Sequence, residues 1–140
     1  MRTEKIGERA TLLVVDDDPV FRDLEAQILS HEGYDVLQAE GAEEALRLAG
    51  STPPIDLLLT DFRMPEANGL ELTRRFRTVH PQTPVLMVSG DLPSLRDQPE
   101  DPGSFALLAK PFTLIQLVQK VRYLLEASAA RATDSTQALA

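Results

Sequence analysis

Thr11-Leu12-Leu13-Val14-Val15-Asp16-Asp17-Asp18-Pro19 is the stretch whose reading decides the fold. Its first five residues have strand length, and their near-continuous Leu and Val content fits a strand covered on both faces. The three acids that follow do not belong in a core, because an ionised carboxylate is costly to bury unpaired. Asp18 before Pro19 is helix-start chemistry instead: a side-chain oxygen for the first free amides, then a residue whose missing N–H costs nothing at that position. Nine residues thus spell strand, acidic turn, helix.

The same alternation recurs outward from this stretch. Short apolar runs return at 34–39, 56–60, 85–89 and 105–109, each of strand rather than helix length. The run at 34–39 alternates less cleanly and suits a sheet edge. Between the runs lie helical stripes. Phe21, Leu24 and Ile28 fall on one face, with Gly33 placed to end the helix. Ala42, Ala45, Leu46 and Ala49 make a second stripe closed by Gly50, and Leu72, Phe76 and Val79 a third, stopped before Pro81. Thr113 with Gln116 is a capping box leading into Leu114, Leu117, Val118, Val121, Leu124 and Leu125. Between the fourth and fifth runs, Pro93, Pro99 and Pro102 leave room for one or two helical turns at most. Strands alternating with helix-length crossovers predict a parallel sheet with helices on both faces.

At 140 residues the chain fits one domain. Residues 10–126 are expected to form it, with 1–9 a flexible N-terminus and 127–140 a disordered tail or linker stub. Cysteine is absent and His31 and His80 lie far apart, which excludes a thiolate metal site. No apolar run is long enough to span a membrane, and residues 1–10 lack the apolar segment of a secretory signal, so a cytoplasmic address is expected. A net charge of −8 argues against direct binding to nucleic-acid phosphates. The one basic cluster, Arg74, Arg75 and Arg77, reads as a solvated helix face, and the histidines as surface or helix-end residues.

In a parallel sheet of this kind, functional groups gather at the carboxyl ends of the strands. Those ends carry Asp16 and Asp17, Asp61, Ser89 and Lys110. Each alone has an ordinary turn or cap explanation; their joint placement on one edge does not. Carboxylates held close repel one another, and a hard divalent cation such as Mg²⁺ relieves the repulsion through oxygen ligands. A carboxylate beside such an ion can take a phosphoryl group, while an amine and a hydroxyl bind its remaining oxygens.

The motifs Leu13–Pro19, Asp61-Phe62-Arg63-Met64-Pro65-Glu66-Ala67-Asn68-Gly69, Val85-Leu86-Met87-Val88-Ser89-Gly90 and Lys110-Pro111-Phe112 together resemble the receiver domain of bacterial response regulators. The resemblance spans about 10–126. It implies a flavodoxin-like (βα)5 fold with strand order 2-1-3-4-5. It implies Asp61 as phosphoacceptor, Asp17 as direct Mg²⁺ ligand, Asp16 as a ligand through water, and the main-chain carbonyl of Arg63 as a third protein ligand. Ser89 matches the switch hydroxyl, and Lys110 the phosphate-contacting lysine, followed in this family by a typically cis proline bond. Implied partners are a histidine kinase or histidine phosphotransfer protein and a downstream protein, with self-phosphorylation and slow hydrolysis rather than enzymatic turnover.

The sequence also departs from that pattern. Leu107 stands where the family usually carries an aromatic switch residue, Phe105 lies two positions earlier, and neither inherits the role. Arg63 and Asp91 occupy positions that tune phosphoryl lifetime in the family and are expected to hinder attacking water if they pair. Two rivals remain: an aspartyl-phosphate hydrolase, which needs its nucleophile after the first strand, and a binding module that works without phosphorylation.

Overall fold

The computed structural model describes residues 10–51, 54–65, 67–90 and 105–139. Five parallel strands, β1 (Thr11–Val15), β2 (Asp35–Ala39), β3 (Leu57–Asp61), β4 (Val85–Ser89) and β5 (Ala106–Ala109), form one sheet in the order β2-β1-β3-β4-β5. This is the flavodoxin-like arrangement expected from the motifs. The described helices are α1 (Pro19–His31), α2 (Ala42–Ser51), α3 (Gly69–Phe76) and α4 (Leu114–Leu139). The short proline-broken segment expected at 92–102 lies outside the described residues.

Alternation along the strands builds two cores. Leu12, Val14, Leu57, Leu59, Leu86 and Val88 face Leu29 of α1 and Leu117, Val121 and Leu125 of α4. Leu13, Val15, Leu58 and Val85 face Ala42, Ala45 and Ala49 of α2 and Leu72 and Phe76 of α3. The central strands β3 and β4 are buried at every position, whereas the edge strands β2 and β5 are only partly covered.

Local chemistry ends the elements where expected, with four differences. Asp18 caps α1 by accepting from the amides of Val20 and Phe21, and Pro19 opens the helix. Gly33, at φ 104°, closes it: its amide bonds the Ser30 carbonyl and the Tyr34 amide bonds that of Leu29. Thr113 and Gln116 make their two reciprocal cap bonds. The face of α1 is rotated from the expected stripe: Leu24 is exposed and Glu25, Ala26 and Leu29 are buried. Helix α3 ends at Phe76, leaving Val79 in the following turns and exposed. Gly50 lies inside α2 rather than closing it. Finally, α4 does not end near Glu126; it runs to Leu139, through a segment expected to be disordered. Alanine supplies that continuation, because it is the best helix former even without an apolar face to bury. No helix among the described residues is long and apolar enough to cross a membrane.

Candidate functional site

β1 and β3 are neighbours with Val15 opposite Thr60, so the acids that follow each strand meet at the carboxyl edge. Asp16 is held on three sides. Its amide donates to the Ala39 carbonyl at 3.2 Å, its Oδ1 accepts from the Asp18 amide at 3.0 Å, and its carbonyl accepts from the Arg22 guanidinium at 2.9 Å. Arg22 also donates from Nε to Gln38 at 3.1 Å, tying α1 to β2. Sequence reading missed Arg22; the available signal was a cation one turn into the helix that follows three acids. The result is a triad of Asp16, Asp17 and Asp61 with one carboxylate oxygen from each lying within 4.8 Å of the others. Asp16 is buried, Asp17 is open to solvent, and Asp61 is 9% exposed. An oxygen-only set of this kind fits a hard divalent cation, with Asp17 facing the side from which water-bound ligands would come.

Asp61 is fixed by close packing beneath it. The Thr60 hydroxyl donates to its carbonyl at 3.0 Å, and the Gly69 amide donates to the Phe62 carbonyl at 2.7 Å. A Cβ on Gly69 would stand 2.7 Å from the Asp61 carbonyl oxygen, so the start of α3 reaches the acid's backbone only as glycine.

Lys110 follows β5 and closes the other side. Its Nζ lies 2.7 Å from Asp61 Oδ1, and its amide donates to the Ser89 carbonyl at 2.9 Å. The Lys110-Pro111 bond is cis. The Phe21 ring, 5.4 Å from Nζ, covers the ammonium, and Phe112 packs on Phe21 with centroids 5.8 Å apart. Ser89 ends β4 one position beyond Val88, which pairs with Asp61, and is buried. Arg63 is exposed in the loop after Asp61, while Asp91 lies outside the described residues. Leu107 and Phe105 pack on a small cluster of Phe62, Leu70 and Met87. Two open hollows flank the acids. One of about 530 Å³ touches Asp17, Glu40, Met64 and Pro65; the other, about 520 Å³, touches Asp16, Phe21, Lys110 and Phe112.

The charges perturb one another. Burial, reinforced by Asp61 and Asp17, raises the Asp16 carboxyl above its usual range, against the opposing pull of the Asp18 amide and Lys110. Burial would lower the Lys110 ammonium, but the bond to and charge of Asp61, with Asp16 and Glu25 behind it, carry it upward. Glu25, absent from the sequence reading, is pushed up to about 8, first by burial and then by Asp16. Of the histidines, His31 ends α1 on the surface. His80 instead stacks on Phe76 at 4.9 Å and its Nε2 lies 2.9 Å from the Ala49 carbonyl, covering the last turn of α2 rather than of its own helix.

The response regulator receiver domain family matches residues 12–122, the span that carries this edge. The chain belongs to that family. It is 38% identical over 115 residues to the response regulator MprA of Mycolicibacterium vanbaalenii, covering 81% of this chain and 49% of that protein. With the transcriptional regulatory protein CpxR of Klebsiella pneumoniae it shares 37% identity over 118 residues, covering 84% of this chain and 50% of the relative. The solved structure of the chemotaxis protein CheY4 of Vibrio cholerae superposes with a TM-score of 0.77 at 28% identity, covering 83% of this chain and 98% of that one. The receiver chain spans about half the length of these two curated relatives.

Proposed function

We propose that this receiver takes a phosphoryl group on Asp61 in the presence of Mg²⁺ and thereby switches a surface read by a partner. The observation that carries the reading is the Lys110 ammonium at 2.7 Å from Asp61, on an edge where two further carboxylates converge. Asp17 would hold the cation directly, Asp16 through water, and Asp61 and the main-chain carbonyl of Arg63 would complete the protein's share. The ion supplies positive charge against the phosphoryl oxygens.

The chain's own residues do the rest. Asp61 presents a carboxylate oxygen to phosphorus. As the new O–P bond forms, the bond from phosphorus to the donor's imidazole nitrogen breaks, and the electron pair leaves with the imidazole. Lys110 neutralises one phosphoryl oxygen and the Ser89 hydroxyl donates to another. The product carries roughly −1.5 to −2 charge at neutral pH, enough to bias a two-state surface. The donor would be a histidine kinase or a histidine phosphotransfer protein, and the reaction one transfer followed by slow hydrolysis, not turnover. Pairing of Arg63 with Asp91 would slow that hydrolysis.

We assign these roles to residues 10–126, at a cytoplasmic address. The net charge of −8 supports an output through protein contact rather than direct contact of this unit with nucleic acid. Incubation with Mg²⁺ and acetyl phosphate, followed by intact-mass measurement, tests the proposal. Wild type gains one phosphoryl group and Asp61→Asn gains none; equal modification of both would refute it.

A further inference from the structure

Glu25 has no part in the chemistry described so far, and its place is unusual. It lies on the core-facing side of α1, one turn before Leu29, which is fully buried, and one turn after Phe21, whose ring covers Lys110. Packing alone asks for an apolar residue there. Glu25 is 4% exposed, and among the described residues its carboxylate has no hydrogen-bonding or ion-pair partner at contact distance. A buried carboxylate without a partner is costly, so something else must explain it. The charges it feels are all members of one site: Asp16, Lys110 and Asp61. Lys110 in turn feels Glu25 as well as Asp61.

We propose that Glu25 is a positioning residue of the receiver site, a buried carboxylate near Lys110 that shares its ammonium with Asp61 and strengthens the site's pull on a divalent cation. The inference rests on the metal role assigned above to Asp16, Asp17 and Asp61. In the structure Lys110 holds an Asp61 oxygen at 2.7 Å, so ammonium and cation compete for the same carboxylate. A second acid within electrostatic reach of the lysine weakens that competition, and its charge adds to the attraction for the ion. Both effects vanish when Glu25 is neutralised.

The test is calorimetric titration of the full chain with MgCl₂ at about pH 9, above the Glu25 value of about 8, so that the carboxylate is ionised. Wild type is compared with Glu25→Gln and Glu25→Leu, and the melting temperature of each is taken in chelator. We expect both variants to bind Mg²⁺ roughly three- to tenfold more weakly, as follows from losing one unit charge at several ångströms. Glu25→Leu should melt higher than wild type, so that stability and metal affinity move in opposite directions. A residue with only a structural role would move the melting temperature alone. Mg²⁺ binding by wild type with both variants within twofold would overturn this inference while leaving the metal site standing. No Mg²⁺ binding by wild type would overturn both.

Discussion

Asp16 and Glu25 lie on the same side of the sheet, yet their burial is offset differently. Asp16 has bonds at its amide, carbonyl and one carboxylate oxygen, and the carbonyl bond comes from Arg22. A hydrogen bond from a charged donor contributes roughly 1.5–3 kcal/mol. Arg22→Ala should therefore lower unfolding free energy by about that much, visible as a reduced urea midpoint at unchanged slope. Glu25 lacks such bonds, and its cost depends on pH. Its carboxyl rises in the folded protein from 4.5 to about 8, so the folded state binds the proton more tightly than the unfolded chain does. The Glu25 contribution to stability is fully present below about pH 4.5 and falls away as pH rises through 8. At about 1.4 kcal/mol per pH unit, the loss is roughly 3 kcal/mol by neutral pH. In chelator, the wild-type stability profile should slope downward across that window and the Glu25→Gln profile should be flatter by that amount.

At the scale of elements, α3 reaches the acceptor's backbone only because position 69 has no side chain. Gly69→Ala places a Cβ 2.7 Å from the Asp61 carbonyl oxygen, so α3 or β3 must shift. A loss of roughly 1–3 kcal/mol follows, with slower phosphoryl uptake; thermal melts and acetyl phosphate labelling check both. The elements also separate what the sequence disclosed from what it concealed. Caps at Asp18, Gly33 and Thr113 were legible because cap chemistry is local. The face of α1 was not: Phe21, Leu24 and Ile28 fit helical spacing, yet the helix is turned so that Glu25 faces the sheet. Nothing in a stripe of three apolar residues betrays a carboxylate whose electrostatic neighbours come from three distant strands. His80 was hidden for a related reason, since it covers α2 rather than its own helix.

Across the whole molecule, two cores on opposite faces of one sheet hold five strand ends in register, and that rigidity brings four distant segments to one edge. Convergence of Asp16, Asp17, Asp61, Ser89 and Lys110 was legible in the sequence because alternating strands and helices leave few parallel topologies. The extent of α4 was not, because an alanine-rich segment beyond the last large core residue, Leu125, has helix propensity without core contacts to mark it. Stability should therefore depend little on that extension: a chain ending after Glu126 should melt within about 3 °C of the full chain, well under the shift from losing a core contact. The edge itself is tested most directly by chemistry at one position. After Mg²⁺ and acetyl phosphate, borohydride converts an acyl phosphate to homoserine, and peptide mass spectrometry locates it. Homoserine at position 61, dependent on Mg²⁺ and lost in Lys110→Ala, is the predicted result. Homoserine at 16 or 17 instead, or none at 61, would contradict it.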